Sequence, residues 1–504
     1  MSDRQSVPDV PVIYFVEPTA ENIHRIVTDY RAGLYSYMHV NFSCAISTKL
    51  LQSFAESVSK FSSSRSEIVK VVDRYCSFVS LSANVYSLNM KSTYLYLNKV
   101  LNDSLIETKL GEIASGVVSM LMTSGCGVPI IRAPPPDSSA AGLVAKLVSD
   151  QMTGLFNSGS VSAMSTMHSG PVDPLHAQRP LLVILDREID LSPMVAHAWS
   201  YQSLIEDILG MNLNKVATEG GWDINTKDQF WKIIAHLPFP EAATAINEKV
   251  NEFSKMRTNC FDSDGGSSLM NAMSSMPQIT ELKKTVDMHT SIATILLNRI
   301  KESQFDKFVE FESSSGSNLR QILADEKTSE IHKIRVLIYS MLKFGPSVSA
   351  GLDSKWLDHQ AVKHVRNLQT LKQQLIGSST PPPVQRSSLF ENIAEKVKTR
   401  GEEFVKNVKT LMNDKCIVRS IVQQLADQQT PTESFAYYDP QHAGSVVRVR
   451  GSFRQVLVCM VGGGSTLEYE QLSEWSTKTS RPQIIYGATD FVSPEKFVAD
   501  LAQL

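Results

Sequence analysis

The sequence predicts an α/β plus α chain of several domains, with parallel-sheet α/β regions at both ends and a mainly helical insertion between them. Three observations predict it. Strand-like runs alternate with helix-length periodicities as far as residue 185, helical periodicity dominates 225–429, and two further strand–helix pairs close the chain. Two strands and two helices are too few to cover both faces of a parallel sheet. The last segment is therefore expected to complete the sheet left half-built around 181–185. The predicted division is an N-terminal α/β domain over 1–105, a discontinuous α/β domain over 106–224 and 430–504, and a helical insertion over 225–429.

In order, a strand is predicted at 11–16, a helix over 19–34, a short strand-like run at 37–42, and helices at 47–61 and 66–80. Apolar residues recur at helical spacing over 104–122 and stop at Gly125, a helix-ending residue. A strand at 128–132, the turn Pro134-Pro135-Pro136, a helix over 141–155 and a buried-type strand at 181–185 follow. The closing segment reads as strand 455–461, helix 466–475, strand 483–486 and helix 494–501.

Composition narrows the class. The 504 residues are 42% hydrophobic and 20% charged, enough apolar surface for a large core and too much for a disordered chain. A net charge of −3 gives no basic balance for nucleic acid. Six scattered cysteines without a CxxC argue against a disulfide scaffold or a cysteine zinc site and fit a reducing compartment. The N-terminus lacks a signal design and no apolar run reaches 18 residues, so a soluble, cytoplasmic chain is expected.

Candidate chemistry sits at two strand ends. Asp186 and Arg187 lie just past the strand at 181–185, where ligands bind in open α/β sheets. Asp186 with Asp190 offers a carboxylate pair for metal or acid/base work; alternatively Arg187 neutralises one or both and pins the loop. Gly462-Gly463-Gly464-Ser465-Thr466 joins a strand to a helix and could cradle phosphate. It lacks the GxxxxGK[ST] lysine and has Leu467 at the third GxGxxG position, so a tight turn with a Ser/Thr cap describes it better. No HExxH or GxSxG occurs, and His359 and His364 are five apart, on different helical faces.

The insertion carries more information. Ile279, Leu282, Val286, His289, Ala293, Leu296 and Ile300 step by three and four, a heptad seam with one polar member. Ile246, Val250 and Phe253 form a similar stripe, which predicts a long antiparallel hairpin over about 240–300. Leu269, Met270, Met273 and Met276 form an apolar stripe next to the flexible stretch 261–268, suited to adaptable helix binding. Pro277 is expected to interrupt or start the second helix. Leu51, Phe54 and Ala55 share one predicted helical face, and Ile68 and Val71 share one on the next predicted helix.

Val183-Ile-Leu-Asp-Arg-Glu-Ile-Asp190, His197-Ala-Trp-Ser-Tyr-Gln-Ser-Leu-Ile-Glu-Asp-Ile-Leu209 and Val461-Gly-Gly-Gly-Ser-Thr-Leu-Glu-Tyr469 together resemble the SM family, the Sec/Munc-type syntaxin-binding proteins. Segments 10–23, 34–42, 129–132 and 438–440 are similar to its Sly-type ER–Golgi branch. The resemblance implies a three-domain arch without enzymatic activity or cofactor. It implies a SNARE-assembly chaperone that binds a syntaxin-type Qa-SNARE and templates SNARE complex formation for vesicle fusion in ER–Golgi transport. The implied partners are the Qa-SNARE, an R-SNARE and the assembled SNARE complex; the protein would be a monomer, bind no nucleic acid and reach ER and Golgi membranes through SNAREs alone.

By that resemblance, Leu51, Phe54, Ala55, Ile68 and Val71 form a pocket for a syntaxin N-terminal peptide. Leu269, Met273 and Met276 template SNARE helices, with Pro277 as the hinge. A strand–helix–strand usual before Pro11 is missing, which would bring the strand at 12–16 nearer a sheet edge, and the loop at 261–268 is shorter than usual in the branch. The alternative from another class is a nucleotide- or metal-dependent hydrolase using Asp186, Asp190 and the Gly462–Gly464 turn.

Overall fold

The computed structural model describes residues 5–61, 66–99, 102–157, 179–218, 221–261, 266–313, 318–377, 416–427, 434–442, 453, 455–479 and 482–504, with backbone alone at 259–261, 266–276, 278 and 372–377. The chain opens with β1 (Val12–Val16), α1 (Ala20–Arg31), β2 (Tyr37–Phe42), α2 (Thr48–Ser59) and β3 (Glu67–Asp73). These make a parallel three-stranded sheet in the order β1-β2-β3. The hydroxyls of Thr19 and Ser47 accept from the amides of Asn22 and Leu50 and start the two helices. Both helices cover one face, where Ile26 and Phe54 pack on Tyr14, Met38, Val40 and Phe42. The other face is open: Ile13 is 74% and Phe15 62% exposed. β1 is an edge strand of this sheet.

The predicted helix over 66–80 is not there. β3 and then β4 (Val79–Ser82) occupy it, because Ile68, Val69, Val71 and Val72 are β-branched and suit a pleated surface. β5 (Val85–Ser87) follows, and with β4 it leaves the first sheet for the second. Residues 79–87, expected within the N-terminal domain 1–105, are thus an edge of the neighbouring sheet.

The second sheet takes further elements from distant segments: α3 (Asp103–Ser124), β6 (Ile130–Ala133), α4 (Ala140–Asn157) and β7 (Leu181–Asp186). Beyond the small ladder of β8 (Met211–Asn212) and β9 (Lys215–Val216), the middle is helical and includes α5 (Gln229–Ile234), α6 (Phe239–Phe261), α7 (Gly266–Ser303), α8 (Phe305–Ser313) and α9 (Glu330–Phe344). The chain then returns through α10 (Ile417–Asp427), β10 (Ala436–Tyr438), β11 (Gln455–Val461), α11 (Thr466–Thr479), β12 (Gln483–Ala488) and α12 (Pro494–Leu501).

The sheet order is β10-β6-β7-β11-β12-β5-β4, parallel except at its two edges. β7 lies directly against β11, with Val183 opposite Val458, although the whole helical region separates them in sequence. Helices α3 and α4 bury one face of this sheet and α10 and α11 the other. Helix α10, expected inside the insertion 225–429, belongs to the sheet's core through Val418, Ile421, Val422 and Leu425. Covered on both faces, β7 shows no alternation: Leu181, Leu182, Val183, Ile184 and Leu185 are all fully buried.

Close approach between β12 and β5 depends on Gly487. A Cβ there would lie 2.0 Å from the Tyr86 ring, which the sheet holds against it. Gly487→Ala is expected to lower stability by about 3 kcal/mol or more in urea denaturation. Gly154→Ala, on an exposed helical turn where a Cβ meets nothing within 4 Å, should be neutral or stabilising by up to about 1 kcal/mol.

Candidate functional site

The five residues assigned to a peptide pocket fall on α2 and β3. Phe54 is 3% exposed and, with Ile68 packed against its cluster, forms part of the N-terminal core. Leu51 (40%) and Val71 (38%) are exposed apolar side chains, and Ala55 is exposed on the same helix. Ile68 and Val71 lie on a strand, where a spacing of three would normally put them on opposite faces. A bulge rescues them. The register against β2 slips between Ile68 and Lys70, so Ile68 opposes Met38 and Val71 opposes Val40, both on the core side. Apolar surface therefore continues from the core under α2 out to the open edge of β3.

The second assigned surface is the hairpin of α6 and α7. Along the seam Ile300, Leu296, His289 and Val286 are buried, while Leu282 and Ile279 are half-buried, so cover thins toward the tip. Ile292, fully buried beside this seam, was not foreseen. Helix α7 runs unbroken from Gly266 to Ser303 through Pro277, contrary to the expected interruption. Pro277 is exposed on this helix. Leu269, Met270, Met273 and Met276 lie on this helix, with side chains outside the described residues.

At its root the hairpin is held by polar contacts. His289 stacks on Trp231 at an interplanar angle of 6°, and its Nδ1 lies 3.2 Å from the Tyr201 hydroxyl. One turn earlier Thr285 donates to Asp228, the residue that also caps α5. Burial lowers the His289 ring to about 4, so it stays neutral.

The strand-end acids are used structurally. Asp186 accepts from the Ala141 amide at 2.9 Å, at the start of α4, and burial pushes it up to about 7. Asp190 accepts from the amide and hydroxyl of Ser192. Arg187 pairs with neither, contrary to expectation. It crosses to α11 and forms a fully buried two-pronged pair with Glu468, at 2.7 and 2.6 Å, while its Nη1 also donates to the Gly463 carbonyl. The Tyr486 hydroxyl donates to the same carboxylate at 2.6 Å. The glycine turn is shaped around this pair: Gly462 and Gly463 take φ of 103° and 117°, and a Cβ on Gly462 would meet the Arg187 Cβ at 2.9 Å. Ser465 and Thr466 donate to the Pro193 carbonyl and the Glu206 carboxylate, and neither accepts from the first amides of the helix as expected of a cap. Among the described residues no His, Cys, Asp and Glu are grouped to hold a metal.

The model of the Sec1 family matches residues 1–500. The chain belongs to the Sec1 family. It is 32% identical to "Protein sly1" of Schizosaccharomyces pombe, over 100% of this chain and 87% of the relative. It is 31% identical to "SEC1 family transport protein SLY1" of Arabidopsis thaliana, over 100% and 86%. The crystal structure of Sly1p in complex with an N-terminal peptide of Sed5p superposes with a TM-score of 0.73 at 26% identity, covering 100% of this chain and 86% of that one. The SM protein Vps45 in complex with the Qa SNARE Tlg2 shares the fold alone, with a TM-score of 0.67 at 17% identity over 99% and 87%.

This Sec1-family chain also holds a buried polar cluster that sequence reasoning missed, although His197, Glu206 and Asp207 stand in one of the stretches quoted above. The His197 amide donates to Glu312 at 2.8 Å, its Nδ1 lies 2.5 Å from the same carboxyl and its Nε2 3.0 Å from His332 Nδ1. Arg335 forms two bonds to Asp207 and donates to the carbonyls of Val195 and Ala196. The cluster ties the loop after β7 to α8 and α9. Burial raises Glu312 to about 8 and Glu206 to about 7, and lowers His332 to about 3 and His197 well below its usual value.

Raised carboxyls contribute stability that is complete below their unfolded values near 4 and lost as pH climbs through 7 to 8. The depressed histidines contribute stability that is complete above 6.5 and lost as pH falls toward 3 to 4. Stability should therefore peak near pH 6 and be lower at pH 8 by about 1–3 kcal/mol, measured by urea denaturation. Glu312→Gln should flatten that decline.

Proposed function

We propose that this Sec1-family chain is a SNARE-assembly chaperone that binds a syntaxin-type Qa-SNARE and templates SNARE complex formation in ER–Golgi vesicle fusion. The observation that carries the reading is the full-length likeness to Sly1p, whose structure holds an N-terminal peptide of Sed5p. The exposed apolar residues on α2 and β3, continuous with the core, are where we place the corresponding peptide. Leu51, Ala55 and Val71 would touch it; Phe54 and Ile68 would support it from beneath.

The hairpin would then receive the SNARE helices. SNARE segments lose conformational entropy on assembly, and a preformed helical surface bears part of that loss. A seam packed at its root and thinly covered toward its tip suits the role: the root would set direction, Leu269, Met273 and Met276 would supply the apolar contacts, and Pro277 would be the weak point of the helix. In this reading both the Qa-SNARE and an R-SNARE align on the hairpin, the protein acts as a monomer, and no catalytic step is involved. The strand-end groups support this last point, since Asp186 starts a helix and Arg187 is paired with Glu468. No described helix is long and apolar enough to cross a membrane. Contact with ER and Golgi membranes would come through the SNAREs.

Leu51→Arg is expected to weaken binding of a syntaxin N-terminal peptide at least about tenfold in calorimetry, about 1.4 kcal/mol, while leaving the fold intact because Leu51 is exposed. Unchanged affinity would remove α2 from the site. Met273→Asp with Met276→Asp should abolish acceleration of SNARE assembly in a fluorescence assay and leave the N-peptide affinity unchanged. An unaltered assembly rate would rule out the template.

A further inference from the structure

Past the ends of β2 and β3 the two chains stay paired. The Arg74 amide donates to the Phe42 carbonyl at 2.8 Å and the Cys76 amide to the Ser43 carbonyl at 2.5 Å. Between them Tyr75 takes φ 53°, a rare conformation for a bulky residue, which offsets the register by one. Cys44, the next residue after Ser43, is thereby brought beside Cys76. Burial raises the Cys44 thiol while the side chains of Ser43 and Ser77 oppose that rise, and Ser77 is the residue that follows Cys76. Neighbouring strands run about 4.8 Å apart, inside the roughly 4.4–6.8 Å that a disulfide spans between Cα atoms.

We propose that Cys44 and Cys76 are a reversible oxidation site whose disulfide closes a ring around α2 and β3. The ring, residues 44–76, encloses both elements whole. Cys76 is exposed and Cys44 half-buried, with burial pushing the Cys44 thiol up, so a peroxide reaches Cys76 first. The Cys76 thiolate attacks hydrogen peroxide, forming an S–O bond and breaking O–O; the hydroxide released takes up a proton to give water. Cys44 then attacks the sulfenic sulfur, the S–S bond forms, S–O breaks, and the second oxygen leaves as water with the Cys44 proton. Two thiols lose two electrons and one peroxide becomes two waters. In a reducing compartment the bond would persist only under oxidative load. Closing the ring removes freedom from the open form of this segment and so slows its opening.

The test uses the full chain treated with hydrogen peroxide, digested without reductant and mapped by mass spectrometry, and does not depend on the peptide-binding reading. A cross-linked peptide joining Cys44 to Cys76, lost on reduction, is expected. In Cys44→Ser, Cys76 should instead stop at the sulfenic acid and be captured by dimedone. Limited trypsin cleavage after Lys49, Lys60 and Lys70 should slow several-fold in the oxidised wild type and not in Cys44→Ser. Absence of the cross-link, pairing of Cys76 with another cysteine, or a cross-link that forms as readily in urea would overturn the oxidation site. An unchanged cleavage rate in the cross-linked protein would overturn the ring closure.

Discussion

The buried pair of Arg187 and Glu468 is the constraint around which the large sheet is organised. Both side chains are fully excluded from water, so neither charge is tolerable alone and each commits its own segment to a fixed place. Arg187 follows β7 and Glu468 lies on α11, and these segments are neighbours only because β7 pairs with β11. Gly462 gives up its side chain where the Arg187 Cβ sits, and Tyr486 supplies a further bond from β12. The end of a parallel strand, where α/β proteins often bind ligands, is here filled by the protein's own groups.

A second polar level joins the sheet to the helices. Arg335 with Asp207, and Glu312 with His197 and His332, are bonded across elements whose covalent connections are long. Such networks are costly when half-satisfied and specific when complete, which fixes the direction in which the helical region leaves the sheet. From that base α7 projects outward, held by His289 and Thr285. The hairpin thus inherits its aim from groups far from its tip, and the small N-terminal sheet offers its exposed α2 and β3 residues independently of it.

Much of this plan was legible in the residues. The five apolar runs at 12–16, 37–42, 181–185, 455–461 and 483–486 are strands because their β-branched, aromatic and aliphatic content suits parallel sheet. The period of three and four marked α7 because that helix packs along one stripe. The reading over 66–80 failed for a physical reason: the bulge at Val69 puts Ile68 and Val71 on one face of a strand, and a spacing of three then imitates a helix. Arg187 was matched with nearby acids because sequence proximity is visible and a partner on α11 is not. The same holds for His197 with Glu312 and for Asp207 with Arg335, pairs that exist only once the helical region has folded against the sheet. Pro277 was given its usual disruptive role, which an exposed position on a long helix softens.

The pairing of β7 with β11 also dictates an order of events at the ribosome. When β7 emerges, its neighbour has yet to be translated; at about 5–20 residues per second the wait is on the order of tens of seconds. Throughout that interval a strand of five buried aliphatic residues has one unsatisfied edge, while the helical region is already being completed. A nascent chain of this design invites holding by general chaperones until its C-terminal strands arrive, and late truncations should fail in synthesis long before any question of vesicle traffic arises.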